Sequence, residues 1–269
     1  MNPTLQHIIH SLAGVYGEDE AREMAFWIAE EYGYSRANMM LKSEALQIDG
    51  LENVLLRLCR QEPLQYVFGH TLWKGLDLKV TTDTLIPRPE TAELVDWVLQ
   101  EIGQERHTVL DIGTGSGCIA LALQQNRPQW DVTGLDISEQ ALAVAKENGC
   151  RNHVSVRWQQ KDILHGAIDE MYDLVVSNPP YITESEKTLM KSNVLDYEPA
   201  KALFVKDDNP LLFYRAIAEQ KKGAKIYFEV NAKYAHAVKE MLQALGYTSV
   251  TIKKDMYGQE RMVSGRIKE

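Results

Sequence analysis

Val109-Leu110-Asp111-Ile112-Gly113-Thr114-Gly115-Ser116-Gly117-Cys118 reads as a buried strand, a glycine-rich turn and the opening of a helix. From Thr108 onward, strand-like and helix-like apolar patterns alternate, which predicts a parallel sheet covered on both faces. Strands are expected at 108–112, 131–136, 154–159, 171–177, 224–230, 248–253 and 260–266. Helices are expected between them at about 117–125, 138–148, 210–221 and 232–245. The last two strands adjoin without a helix, so one of them runs antiparallel. The expected fold is α/β: a seven-stranded, doubly wound sheet whose last strand is antiparallel.

The spacing of the glycines selects among nucleotide cofactors. A dinucleotide site wants G-x-G-x-x-G, and its third glycine would fall on Cys118. The pattern present is G-x-G-x-G after an acid, the form that seats S-adenosylmethionine, so a nicotinamide-dependent oxidoreductase is the weaker alternative. Gly113, Thr114, Gly115, Ser116 and Gly117 are the expected cofactor loop. The second strand ends in Gly134-Leu135-Asp136, where a carboxylate accepts both ribose hydroxyls of an adenosine. After the third strand come Asp162, an acceptor for the adenine amino group, and Ile163, a cover for the ring. Asp111 is placed to meet the cofactor's ammonium directly or through water. Each acid alone reads as a surface or capping residue; three at successive strand ends beside a glycine loop read as a ligand set.

The fourth strand runs into Asn178-Pro179-Pro180-Tyr181. The prolines lack N–H donors and stiffen the backbone, and each pushes its predecessor towards an extended shape. Open α/β sheets place their chemistry at such strand ends. Asn178 contributes a side-chain carbonyl (beside the cofactor as well as the substrate), Pro179 and its neighbours unclaimed backbone carbonyls, and Tyr181 an aromatic face. That set suits a planar –NH2 group held by both hydrogens; taken alone, the tetrapeptide is also an ordinary proline-rich turn.

The N-terminal 62 residues show helical periodicity, with Leu5, Ile8, Ile9, Leu12 and Leu51, Val54, Leu55, Leu58 at i, i+3, i+4, i+7. Met24, Trp27 and Ile28, then Met39 and Met40, suggest two more short helices. This expected bundle carries ten acidic and five basic residues. Residues 63–82 are expected to form a β-hairpin linker, and 83–269 the main domain. Pro89 suits the first turn of a helix reaching Ile102. A net charge of −9 argues against sequence-independent nucleic-acid binding. The scattered Cys59, Cys118 and Cys150 lack metal-ligand spacing and fit a reduced, cytoplasmic compartment. No apolar run approaches the ~20 residues of a membrane span, and no signal peptide is expected.

Together these motifs resemble the protein-(glutamine-N5) methyltransferases of peptide chain release factors. The resemblance covers nearly the whole chain. It rests on Glu62-Pro63-Leu64-Gln65-Tyr66, Ile86-Pro87-Arg88-Pro89-Glu90-Thr91, Asp111–Gly117, Asp136, Asn178–Tyr181 and Tyr197-Glu198-Pro199-Ala200-Lys201-Ala202-Leu203. It implies an S-adenosylmethionine-dependent enzyme with no metal, monomeric, whose partner is a class 1 release factor. The acceptor would be the glutamine of a Gly-Gly-Gln loop, held by Asn178, Pro179, Pro180 and Tyr181. Departures fall at Ala92, at Ile163, at Asn231 where the family has glycine, and at Tyr234 where it has glutamine. The Asn-Pro-Pro-Tyr ledge is shared with methylases of nucleobase amino groups, the main alternative. A non-enzymatic sensor of the cofactor would leave the ledge without a purpose.

Overall fold

The computed structural model describes residues 2–41 and 44–267. The expected ranges 1–62 and 83–269 therefore include positions 1, 42, 43, 268 and 269 outside the described residues, and so is the side chain of Met40. The chain divides into two compact units: Met1–Phe68 with Ser192–Tyr197, and Gly69–Lys191 with Glu198–Glu269.

The first unit holds helices α1 (Pro3–Tyr16), α2 (Glu18–Glu31), α3 (Arg36–Leu41), α4 (Leu51–Cys59) and α5 (Leu64–Phe68). The Asn2 side chain caps α1 by accepting from the Thr4 N–H, and Pro3 sits at the first helical position. Leu5, Ile8 and Leu12 of α1 bury against Ile28 and Leu58, each worth roughly 1.5–3 kcal/mol. Ile9 and Trp27 are only half-buried, and the Trp27 indole donates to Glu31. Helix α5 occupies residues expected to begin the hairpin. The Pro63 carbonyl accepts from the N–H groups of Tyr66 and Val67, starting a helical turn there. The helix Ser192–Tyr197 belongs to this unit: the Ser192 hydroxyl donates to Gln61, and that of Tyr197 to the Arg60 carbonyl.

The second unit opens with a hairpin, β1 (His70–Trp73) and β2 (Leu76–Lys79). Its turn residues Lys74 and Gly75 both have positive φ, as a type I′ connection requires. Then follow α6 (Pro89–Glu101), β3 (Thr108–Ile112), α7 (Cys118–Asn126), β4 (Asp131–Asp136), α8 (Glu139–Arg151), β5 (Arg157–Gln160) and β6 (Tyr172–Ser177). After a stretch of short elements come α9 (Leu212–Glu219), β7 (Gly223–Glu229), α10 (Ala235–Ala244), β8 (Tyr247–Lys254) and β9 (Glu260–Ile267). The sheet order is β8-β9-β7-β6-β3-β4-β5, with β9 antiparallel to both neighbours. Among the described residues no helix is long and apolar enough to cross a membrane.

Side chains on a strand alternate faces, and both faces here are covered. Val109, Val176 and Tyr227 pack with α6, α7 and the hairpin, whereas Leu110, Val175 and Phe228 pack with α9 and α10. Trp73, Leu76 and Leu78 place the hairpin inside the first of these cores. Asn148 of α8 and Asn152, the residue that caps its C-terminus, each bond to the N–H and the carbonyl of one residue of β2, Lys79 and Asp77 respectively. Two side chains four residues apart on a helix thus stand in for a neighbouring strand. Asn148 also donates to the Ser116 carbonyl, tying hairpin, helix and glycine loop together.

Strand β5 begins at Arg157 rather than 154. His153 takes a left-handed turn, and Val154 and Val156 reach the core before ladder pairing with β4 begins. Within that ladder Gly134 faces Trp158. A Cβ at Gly134 would lie 2.4 Å from the Trp158 ring, and one at Gly117 would lie 2.9 Å from it. The indole fills the hollow that both glycines leave behind the loop. Gly134→Ala is expected to destabilise the protein by about 1–3 kcal/mol in urea unfolding. Part of that loss should return in the double variant with Trp158→Leu; wild-type stability of Gly134→Ala would contradict the packing described.

Candidate active site

Strands β3 and β6 run side by side and end level, with Ile112 opposite Ser177. The buried Ser177 hydroxyl donates to the Ile112 carbonyl at 2.6 Å, closing the pair just before each chain turns away. The glycine loop and the Asn178-Pro179-Pro180 ledge therefore leave the sheet from adjacent points. A cavity of about 620 Å³ lies at these strand ends. Gly113, Gly115, Asp136, Asp162, Ile163, Asn178, Pro179 and Pro180 all line it. Residues 82–85 and 199–202 and the apolar Phe204, Phe213 and Ile217 are also among its lining.

The other five residues expected in the site lie behind this lining. Thr114 donates its hydroxyl to the fully buried Asp111 at 2.6 Å, and the N–H of Ala120, in the first turn of α7, reaches the same oxygen. Ser116 is buried and contributes its carbonyl to Asn148. Gly117, left-handed at φ 82°, caps α7. Tyr181 points its hydroxyl at Glu229. These residues hold the wall rather than form it.

Gly113 and Gly115 take φ of 72° and 53°, conformations that side chains disfavour. Gly113 and Thr114 donate their N–H groups to the Leu135 carbonyl, and Gly115 donates to Asp136, so loop and second strand end are one bonded unit. The Asp136 carboxylate accepts once on each oxygen, from Gly115 and Ser138. Each oxygen keeps capacity for a further donor. Burial raises its pKa. Asp162 accepts from His165 and from the Leu164 N–H, and the His165 bond holds its carboxyl below the usual range. Asp111 keeps Oδ1 buried with no hydrogen-bond partner. The bare backbone at Gly113 and Gly115, the spare acceptor capacity of Asp136 and Asp162, the unpartnered Asp111 oxygen behind them and an apolar wall fit an adenosyl group bearing hydroxyls, an amine and a flat base. Among the described residues no cluster suits a metal ion.

The ledge is anchored by residues to which the sequence assigned no role. Asn178 Nδ2 donates to the Thr91 hydroxyl at 3.1 Å, and Thr91 donates to Glu229 at 2.7 Å. The second oxygen of Glu229 accepts from Tyr181 at 3.1 Å. Burial pushes the Glu229 carboxyl up to about 7. The carbonyls of Asn178, Pro179 and Pro180 receive no bond from the described residues, as the absence of local donors led us to expect. Asn231 donates to the Tyr181 carbonyl and to Glu186, so this departure from the family pattern braces the chain beyond the ledge. Arg88 ion-pairs with the buried Glu198, while its carbonyl accepts from the hairpin's Trp73 indole. The segment containing Pro87 and Pro89 thereby joins the hairpin to the Pro199–Ala202 wall. Thr91 had a signal in the Arg-Pro-Glu-Thr motif; Glu229 had only its place at the end of β7.

Burial pushes the Asp111 carboxyl up to about 7, against about 4 in an unfolded chain. The folded state therefore holds a proton there that the unfolded chain has already lost. This contribution to stability is complete below about pH 4 and disappears as pH rises through about 7. The stability of wild type minus that of Asp111→Asn, from urea unfolding, is expected to fall across this window. A flat or rising difference would contradict it.

Residues 91–203 match the methyltransferase small domain family. Among solved structures, the hMettl16 catalytic domain in complex with an RNA hairpin of the MAT2A 3′UTR aligns with a TM-score of 0.61 at 17% identity, over 77% of this chain and 82% of that one. A methyltransferase from Pyrococcus furiosus aligns at 0.53 with 20% identity, over 81% and 98%. These likenesses show the fold. The release factor glutamine methyltransferase of Bacteroides thetaiotaomicron is 40% identical over 98% of this chain and 99% of its own length. That of Flavobacterium psychrophilum is 38% identical over 95% of both. With identity of that order spanning both chains almost end to end, the protein belongs to the release factor glutamine methyltransferase family.

Proposed function

We propose that this enzyme transfers a methyl group from S-adenosylmethionine to the side-chain amide nitrogen of the glutamine in the Gly-Gly-Gln motif of class 1 release factors. One observation carries the reading. The Asn178 amide, on a residue that lines the cavity, commits its nitrogen to Thr91, which leaves Oδ1 as an acceptor with no partner among the described residues. The Pro179 carbonyl, also without a donor, stands one residue on. Two neighbouring acceptors are what both hydrogens of a primary amide need.

Gly113, Gly115, Asp136, Asp162 and Ile163 would hold the cofactor, with Asp111 behind them. Bound there, its sulfonium supplies an electrophilic methyl group. An amide nitrogen is a poor nucleophile because its lone pair is delocalised into the carbonyl. Neither His nor Cys lines the cavity, and Asn178 is no base. Catalysis therefore comes from positioning and electrostatics: Asn178 Oδ1 and the Pro179 carbonyl turn the nitrogen out of conjugation, and its proton leaves to water. Tyr181, anchored by its hydroxyl to Glu229 behind the cavity lining, stiffens the ledge that carries these two acceptors. The release factor as substrate is supported by the names of relatives that match over nearly their whole length. The nucleobase alternative has no such support, and the charge of −9 opposes it. The acidic N-terminal helices are the docking surface in this reading, and the reaction belongs in the cytoplasm.

Mass spectrometry of a purified class 1 release factor treated with enzyme and cofactor should find one added methyl on the loop glutamine. Asn178→Ala should cost on the order of 3 kcal/mol, about 100-fold in kcat, with cofactor binding intact. A short peptide carrying the loop should show a KM at least about tenfold above that of the whole factor, through loss of docking contacts. Methyl appearing on nucleic acid instead, or near-normal turnover by Asn178→Ala, would overturn the assignment.

A further inference from the structure

An asparagine amide has two ends of nearly equal size and opposite hydrogen-bonding character. Asn178 serves as an acceptor at the cavity only if its oxygen, and not its nitrogen, is turned towards the ligand. Packing does not settle this; hydrogen bonding does. The Thr91 hydroxyl has a single hydrogen, and it goes to Glu229 Oε2 at 2.7 Å. What Thr91 then offers Asn178 is a lone pair, which only the –NH2 end can use, at 3.1 Å. The orientation of Asn178 is dictated two residues away, by whether the group beyond Thr91 accepts or donates.

That group is a carboxylate whose side chain has no ion-pair partner among the described residues, although Glu229 is only 1% exposed. The nearby Arg261 is paired with Asp255 instead. A buried acid without a cation is a costly way to fill space, and an apolar side chain of similar volume would pack more cheaply. Above its raised pKa of about 7 the Glu229 carboxylate has one property that such a replacement lacks: both its oxygens only accept. Glu229 uses the two separately, one for Thr91 and the other for the Tyr181 hydroxyl at 3.1 Å. One buried acid at the end of β7 thus orients the first and last residues of the Asn-Pro-Pro-Tyr ledge.

We propose that Glu229 and Thr91 are positioning residues for methyl transfer: Glu229, through Thr91, holds the Asn178 amide with its oxygen towards the acceptor nitrogen, and directly fixes the Tyr181 ring. The inference rests on the function proposed above. Glutamine at position 229 would put an –NH2 where Thr91 or Tyr181 needs an acceptor, allowing the chain of bonds to reverse and the Asn178 amide to invert. Valine at 91 keeps the shape and removes the relay; serine keeps the relay.

The test compares wild type, Thr91→Val, Thr91→Ser and Glu229→Gln for kcat and KM on whole release factor, with S-adenosylhomocysteine titrated to show an intact cofactor site. Thr91→Val and Glu229→Gln should lose roughly 10- to 100-fold in kcat while KM for S-adenosylmethionine stays within about twofold. Thr91→Ser should retain activity within about threefold of wild type, a rescue that a purely space-filling role for Thr91 does not predict. Full activity of Thr91→Val, or a Thr91→Ser as impaired as Thr91→Val, would overturn the assignment of these residues alone. A wild type that leaves the glutamine unmethylated would instead overturn the functional reading beneath it. Should Thr91→Val fail to bind S-adenosylhomocysteine, Glu229→Gln decides: a loss confined to kcat supports the proposal, and unchanged kcat overturns it.

Discussion

The buried bond from the Ser177 hydroxyl to the Ile112 carbonyl joins the ends of two parallel strands at the point where each gives way to a loop. Everything at the candidate site depends on those ends being level. One strand delivers Gly113 and its loop, the other delivers Asn178 and the two prolines. Parallel pairing alone sets the register, but a slip of one residue would turn each side chain to the opposite face. Val109 and Leu110, like Val175 and Val176, are committed to different cores, so such a slip would be resisted by both faces at once.

From that shared edge the site is built outward by groups that serve the fold and the ligand together. Asp136 holds Gly115 and Ser138 in place, and Asp162 holds Leu164 and His165. Their orientation is set before any ligand arrives, so little is lost in ordering them on binding. The same economy governs the ledge. Prolines remove local donors, leaving backbone carbonyls open, while the network through Thr91 and Glu229 turns an ambiguous amide into a directed one. The hairpin contributes from further out, held by Asn148 and Asn152 and linked through Trp73 to Arg88 and the cavity wall.

Much of this was legible in the residues. Strands buried on both faces announce themselves as continuous apolar runs, which is why β3, β4 and β6 were placed within a residue of their observed bounds. Strand β5 begins three residues later than its pattern suggests because Val154 and Val156 show strand-like alternation while only approaching the sheet. Helix α5 was hidden within apolar residues that also suit a hairpin, and Pro63 decided between them by accepting rather than donating. Gly113, Gly115, Asp136 and Asp162 in the cavity wall, with Asp111 behind it, are legible because their spacing along the chain reflects the strand–loop–helix unit. The roles of Thr91 and Glu198, although both stand in recognisable motifs, and of Glu229 are not, since the bonds that matter join residues 87, 138 and 110 positions apart. No local pattern encodes which end of an amide faces a cavity. The structure also shows why glycine must stand at 134, through an indole that arrives from the neighbouring strand.

The most direct measurement is a crystal structure of the enzyme with S-adenosylhomocysteine and a release factor, or a peptide bearing its Gly-Gly-Gln loop. The account predicts the glutamine –NH2 within hydrogen-bond distance of Asn178 Oδ1 and the Pro179 carbonyl, its nitrogen facing the sulfur. A glutamine lodged elsewhere, or one whose amide meets the nitrogen of Asn178 instead of its oxygen, would contradict it.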